Sequence, residues 1–140
     1  MKTSSITVKP LGNGQWQVTV IVQHKSAEKT GMVTILSQAT PDGAAPSHAG
    51  LAASIGWHEL GAQFLAAGAA SDAAYCFRQG LEALGERYAT LDVVDDTDQK
   101  IAAAEELLAK GRDADGTALL GRMLATRHGL YRVRYAGELR

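Results

Sequence analysis

The feature that most constrains this chain is a pair of amphipathic helical segments on either side of Gly68. Apolar side chains recur at spacings of three and four over residues 57–65 and again over residues 73–84, which is the period of a helix with one buried face. Gly68 follows the first segment as a helix-ending glycine does, and Ser71 and Asp72 favour a helix start. Two helices joined by so short a turn must lie antiparallel.

The hairpin contains a set of aromatic and small residues at fixed spacings: Trp57, Leu60, Gly61, Phe64, Gly68, Ala73, Phe77 and Gly80. In this order, in register and without a gap, they resemble the tetratricopeptide repeat, a pair of antiparallel helices. Gly85 stands where that repeat has a proline, and a glycine can also break a helix. The resemblance covers residues 54–87.

A second, degenerate copy of the hairpin follows. Asp96 and Gln99 have the spacing of a capping box at a helix start. The apolar positions expected to face the core are Ile101, Ala104, Leu107, Leu108, Leu120, Met123 and Leu124. Gly111 lies 43 residues after Gly68, whereas the period of the family is about 34 residues. We expect the loop over residues 90–96 to hold the surplus.

The resemblance implies a partner-binding groove lined by the first helix of each pair. Carried over by position, the groove residues are His58, Ala62, Leu65, Ile101, Glu105 and Leu108. These side chains are mostly small or apolar, so the groove is expected to take an amphipathic helix or an extended apolar peptide. Two alternatives stay open, since the N-terminal part of the chain or a second copy of the chain would also cover such a stripe.

The N-terminal part reads as an antiparallel β-meander. Residues 1–25 alternate apolar and polar side chains around Gly-Asn-Gly at residues 12–14, which is the turn chemistry of a hairpin. Residues 26–30 are predicted to form a polar turn, and residues 32–37 a third strand. Three strands with one apolar face need a helix layer to be stable. The helical hairpins are the layer that the sequence offers.

Together these segments predict an α+β fold, with a β-meander followed by four or five helices in repeat-like hairpins. We divide the chain into a meander at residues 1–39, a proline-containing linker at 40–49 and a helical domain at 50–140. Gly50 and Gly56 favour a helix start near Ser54. Residues 128–137 fit a strand or a terminal helix, and the helix is preferred because it would shield the last repeat.

The sequence contains no recognisable catalytic or metal-binding motif. The four histidines and the single cysteine, Cys76, lack the spacing of a metal-binding pair, and burial is expected for the cysteine. The acidic residues at 92–98 would suit a hard cation, but a helix start also favours negative charge. No nucleophile motif or phosphate-binding loop is present. We therefore expect a non-enzymatic protein without metal or cofactor, and a metal-dependent enzyme or sensor built on the acidic loop is the weakest hypothesis.

Charge and hydropathy bear on partners and location. The net charge of −1 does not favour nucleic acid, and no apolar run is long enough for a membrane helix. The first residues lack the apolar core of a signal peptide, so a cytoplasmic protein of bacterial type is expected. Residues 51–106 are acidic and residues 107–140 basic, which fits either two solvated faces or a self-complementary dimer.

The leading functional hypothesis is an adaptor or small chaperone-like module that binds a protein or peptide. The alternative is a homo-oligomeric structural subunit that uses the sheet face and the basic tail for self-association.

Overall fold

The chain folds as an α+β protein with a sheet at the N-terminus and, among the described residues, four helices after it. The computed structural model describes residues 5–36, 48–89 and 97–140, and the side chains of these ranges except 86–89. The strands are β1 (Ser5–Gly12), β2 (Gln15–His24) and β3 (Ala27–Leu36). The helices are α1 (Ala49–Ala66), α2 (Ala70–Ala89), α3 (Thr97–Ala109) and α4 (Asp113–Arg134).

The three strands form an antiparallel meander in the order β1-β2-β3, as the alternating pattern predicts. Asn13 and Gly14 join β1 to β2 with positive φ angles of 57° and 74°, the combination that a two-residue turn between twisted strands requires. The prediction of a polar turn over residues 26–30 is wrong from Ala27 onward. Those residues pair with the end of β2, because the backbone groups of a ten-residue strand need a partner along its whole length.

The sheet packs on α1 at a point where two glycines meet. A β-carbon at Gly31 of β3 would lie 1.7 Å from the carbonyl oxygen of Ala52, and one at Gly56 would lie 3.1 Å from the nitrogen of Gly31. The expectation that Gly50 and Gly56 delay the helix start to Ser54 is therefore wrong, and α1 begins at Ala49. These glycines permit close approach of two backbones, a tertiary effect that overrides their low helix propensity.

One continuous core joins the sheet to the helices. Its buried apolar members include Val18, Val20, Val22, Val33 and Ile35 from the sheet, and Leu51, Trp57, Leu60, Phe77, Leu120 and Leu124 from the helices. The burial of Trp57 and Phe77 agrees with the predicted packing of the first hairpin. The predicted linker falls outside the described residues except at its end, where His48 is buried and Ala49 begins α1.

The two helical hairpins turn at the predicted glycines. Gly68 and Gly111 both have positive φ angles, as glycines past a helix end do. Gly85 interrupts α2 with a non-helical φ of 50°, which agrees with the break expected there. The strand alternative for residues 128–137 is wrong, because α4 continues to Arg134.

The C-terminal residues return to the sheet. Leu139 forms a bridge with Ile35 of β3, and the Arg140 N–H donates to the carbonyl of Thr34 at 3.0 Å. His48, at the start of α1, is fully buried; its Nδ1 lies 2.8 Å from the Tyr131 hydroxyl and its Nε2 lies 2.9 Å from a Glu138 carboxylate oxygen. This contact joins the start of α1 to the end of α4.

The glycine contact between β3 and α1 gives a testable prediction. The Gly31→Ala substitution should destabilise the protein by about 3 kcal/mol or more, because its β-carbon would collide with backbone atoms that cannot rotate away. Gly137→Ala is the control, since a β-carbon at Gly137 meets nothing within 4 Å. Urea denaturation monitored by tryptophan fluorescence measures both. Equal stabilities for the two variants would contradict this packing.

Candidate functional site

An open apolar groove lies between α1 and α4. Its volume is ≈ 460 Å³, and its lining residues are His58, Ala62, Leu65, Ala66, Phe77, Ala118, Gly121, Arg122 and Ala125. The residues from α1 and from α4 recur at helical spacing, so each helix contributes one wall. Most of the lining side chains are alanine or glycine, which makes the walls low and leaves room between them. Arg122 is the one formally charged residue in this lining.

The Phe77 ring of α2 forms the floor of the groove. It is held between two glycines: a β-carbon at Gly61 of α1 would lie 2.5 Å from its Cε1, and one at Gly121 of α4 would lie 2.8 Å from its Cζ. The ring is only 2% exposed. Phe77 and these glycines therefore set how closely α1 and α4 approach each other, and with it the depth of the groove.

The structure brings together half of the groove residues expected from the repeat. His58, Ala62 and Leu65 line the groove on α1. Glu105 instead accepts hydrogen bonds from Arg78 of α2, at 3.0 Å to Nε and 2.5 Å to Nη2. Leu108 packs near Gly116, where α3 meets α4.

Ile101, the remaining predicted residue, is half-buried at the margin of the core. The second wall of the groove therefore comes from α4, the second helix of its pair, rather than from α3. The residues that sequence reasoning missed are Phe77, Ala118, Gly121, Arg122 and Ala125. The small residues at 118, 121 and 125 recur at helical spacing, a signal that the sequence does contain.

A buried polar cluster lies beside the groove. The Ser54 hydroxyl donates to the carbonyl oxygen of Gly80 at 2.7 Å, and His128 Nε2 lies 2.7 Å from the same hydroxyl oxygen. Because a hydroxyl has one hydrogen, His128 must carry its proton on Nε2 and donate to Ser54. The rings of His128 and His58 are 5.8 Å apart, and His58 is hydrogen-bonded to the backbone of Gly121. The cluster therefore ties α1 to α2 and α4.

This serine–histidine contact is one that sequence motifs could not reveal, since the two residues are 74 positions apart. In a hydrolase the histidine would accept the serine proton. Here the serine proton points to Gly80 and the histidine is the donor. Ser54 is also fully buried, away from any substrate in the groove. Its geometry is that of a packing contact.

Burial keeps both histidines of the cluster neutral at neutral pH. The pKa of His128 is lowered to about 4, chiefly by burial and then by the positive charges that a protonated His58 and Arg132 place nearby. Burial also lowers the pKa of His58, although the hydrogen bond to Gly121 and the nearby Glu59 oppose the shift. The groove wall at His58 is therefore uncharged near pH 7, and Arg122 supplies the charge of the groove.

Other reactive groups in the part of the chain that the structure describes do not converge on a site. Cys76 is buried, as the sequence predicts, and burial followed by the charge of Asp72 raises the pKa of its thiol to about 12. Within the described ranges, no three His, Cys, Asp or Glu side chains converge to hold a metal ion. Of the acidic cluster, only Asp98 lies in those ranges, and it is paired with Arg127.

The chain matches no family model, no curated protein and no solved structure. The resemblance to the tetratricopeptide repeat therefore stays a prediction. None of the helices in the described part of the chain combines the length and the apolar character that a bilayer crossing requires.

The lowered pKa of His128 predicts a loss of stability in acid. The unfolded chain takes up a proton near pH 6.5, whereas the folded protein resists protonation until about pH 4. The contribution of neutral His128 to the free energy of unfolding is thus fully present above pH 6.5. As the pH falls toward 4, the free energy of unfolding decreases by roughly 3 kcal/mol. Urea denaturation between pH 7 and 4.5 measures the loss.

His128→Gln is the matched variant, because its amide can still donate to Ser54 but does not titrate. We expect a shallower pH dependence for this variant than for the wild type. If the free energy of unfolding changed with pH equally in the variant and in the wild type, the acid sensitivity would have another origin.

Proposed function

We propose that this protein is a non-enzymatic binding module, an adaptor or small chaperone-like protein, and that the groove between α1 and α4 takes an apolar or amphipathic segment of a protein partner. The observation that carries the proposal is the groove itself, which is apolar, open and floored by a buried aromatic ring. Its volume of ≈ 460 Å³ lies within the range of binding pockets. No catalytic step is part of the proposal.

The shape of the groove favours a helical partner. Its walls are two helices, and the alanines at 62, 66, 118 and 125 keep both walls low. A third helix can then lie between them, with its ridge of apolar side chains in the channel. Such a partner would place anchors at helical spacing, as in other helix-in-groove complexes. Leu65 is the largest aliphatic side chain in the lining and offers apolar surface for those anchors, while the buried Phe77 ring closes the floor.

The charge of the groove favours an acidic residue in the partner. Arg122 lies on the groove wall and is exposed to solvent. Since His58 opposite is kept neutral by burial, the local field is positive. A partner helix that carries a carboxylate beside its apolar face would pair with Arg122. The partner class is therefore an amphipathic, acidic helix, and nucleic acid is not part of the proposal.

Peptide selection tests this proposal without a known partner. A phage-displayed library of random peptides would be panned on the wild-type protein, and enriched sequences made as fluorescent peptides for anisotropy titrations. We expect apolar residues at helical spacing with at least one acidic residue. Ala62→Trp should weaken binding roughly tenfold or more, because the indole would fill the channel.

The control is Ala102→Trp, the same change at an exposed alanine of α3 that lies outside the groove lining. It should leave the affinity unchanged. Selected peptides that bind Ala62→Trp as tightly as the wild type would refute the groove as the binding site, and failure to select any peptide would refute the proposal as a whole.

A further inference from the structure

The turn between β1 and β2 holds an asparagine whose side chain can react with the main chain next to it. Asn13 is the one asparagine in the sequence, and Gly14 follows it. The backbone nitrogen of the following residue can close a succinimide ring on an asparagine side chain. A glycine there hinders the approach least, because it has no side chain and its backbone rotates freely. Whether the reaction occurs in a folded protein depends on whether the structure leaves both groups free.

In this turn both groups are free. Asn13 is exposed, and the paired residues of the hairpin end at Gly12 and Gln15 on either side of it. The Gly14 N–H donates to no backbone carbonyl among the described residues. In the same part of the chain, the Asn13 side chain has no hydrogen-bond partner either. The attacking nitrogen and the amide that it would attack are therefore both available.

The start of α4 shows the opposite case. Asp115 and Gly116 are a similar pair of residues, but the Gly116 nitrogen donates to the carbonyl oxygen of Arg112 at 2.9 Å. The Asp115 carboxylate accepts a hydrogen bond from the Arg112 side chain. Gly116 is also packed so tightly that a β-carbon there would lie 2.8 Å from the carbonyl oxygen of Ala104. The helix therefore holds in place the same kinds of group that the turn leaves free.

Ring closure needs a rotation of the main chain in the turn. Asn13 and Gly14 have φ angles of 57° and 74°, and the Gly14 nitrogen must turn toward the Asn13 side chain. The turn adjoins β1, all of whose residues are exposed except the half-buried Val8. Opening the turn therefore disturbs little packing, and segments with few buried contacts open locally at the lowest free energy. The reaction does not require the protein to unfold.

We propose that Asn13 is a site of spontaneous deamidation in the folded protein. The Gly14 nitrogen loses its proton and attacks Cγ of Asn13. A bond forms between Cγ and this nitrogen, the bond from Cγ to Nδ2 breaks, and Nδ2 leaves as ammonia after taking up a proton. Water then hydrolyses the succinimide at one of its two carbonyl carbons. Opening at Cγ gives aspartate, and opening at the main-chain carbonyl gives isoaspartate, in which the chain runs through the former side chain.

The two products affect the hairpin differently. Aspartate adds a negative charge and keeps the turn, because Asp-Gly suits this turn as Asn-Gly does. Isoaspartate lengthens the main chain by one methylene, so the turn no longer joins Gly12 to Gln15 in register. β1 pairs with β2 alone, and the fully buried side chains of the sheet lie on β2 and β3. Isoaspartate therefore frees β1 and leaves the helices in place.

Incubation at mildly alkaline pH, followed by peptide mapping with mass spectrometry, tests the reaction. In folded wild-type protein, the peptide that contains Asn13 should gain the mass difference between a hydroxyl and an amino group. It should do so at a rate comparable to that of a synthetic peptide of residues 9–18. Asn13→Gly is the control without the reactive amide, and Gly-Gly also suits the turn. A folded protein that keeps Asn13 unchanged while the synthetic peptide converts would overturn the proposal.

A second variant separates the effect of the turn from that of the dipeptide. Asp115→Asn creates the same Asn-Gly sequence at the start of α4 and removes only an exposed ion pair, which contributes little stability. Position 115 should stay unmodified while Asn13 converts in the same molecule, because the Gly116 nitrogen is hydrogen-bonded. Circular dichroism would establish that the variant is folded. Conversion at both positions at the same rate would overturn the role of the open turn.

Hydrogen exchange tests the effect on β1. The isoaspartate form, separated by chromatography and identified with an isoaspartate methyltransferase, should exchange its β1 amides roughly tenfold or more faster than fresh protein. Asn13→Asp carries the charge of the product without the added methylene and should exchange as the wild type does. Equal exchange in all three proteins would overturn the release of β1.

These outcomes are independent of the proposed function. The groove lining contains no residue of the sheet, so conversion of Asn13 should leave the affinity for selected peptides unchanged. Failure to select any peptide would refute the binding module and leave the deamidation of Asn13 standing. Lack of conversion at Asn13 would overturn this inference and leave the binding module standing.

Discussion

The clamp of the Phe77 ring between Gly61 and Gly121 is the contact on which the rest of the helical layer depends. It brings α1, α2 and α4 to one point, where a methyl group on either glycine would collide with the ring. The ring is also the floor of the groove. The same contact therefore determines how the three helices pack in the core and how deep the candidate site is. The clamp explains why the groove is shallow, apolar and bounded by α1 and α4.

The sheet supports this arrangement from the other side. Gly31 and Gly56 bring β3 and α1 into backbone contact, and the C-terminal residues return to β3 after α4 ends. His48 joins the two ends of the helical layer through Tyr131 and Glu138. The two walls of the groove are thus held together, at the end where α1 begins and α4 ends, by contacts outside the groove. A surface that is rigid before binding loses less entropy when a partner docks.

The sequence predicted the element types well and the packing of the second hairpin poorly. Alternation in β2, the glycine turns and the helical period around Trp57 are local signals, and the structure agrees with them. The predicted helix start near Ser54 was wrong because of Gly50 and Gly56. Sequence alone does not distinguish a glycine that lets a neighbouring backbone approach closely from one that weakens a helix. Contacts between residues that are far apart in sequence determine which helix of the second pair faces α1. Ile101, Glu105 and Leu108 were therefore placed in a groove whose second wall is α4.

Nuclear Overhauser effects at Phe77 would test the central claim most directly. In a sample with labelled glycine and phenylalanine, the ring protons of Phe77 should show contacts to the α-protons of both Gly61 and Gly121, and ring currents should displace the shifts of those α-protons. Contacts to Gly61 alone would mean that α4 does not lie against the first hairpin. In that case the groove between α1 and α4 would not exist in solution.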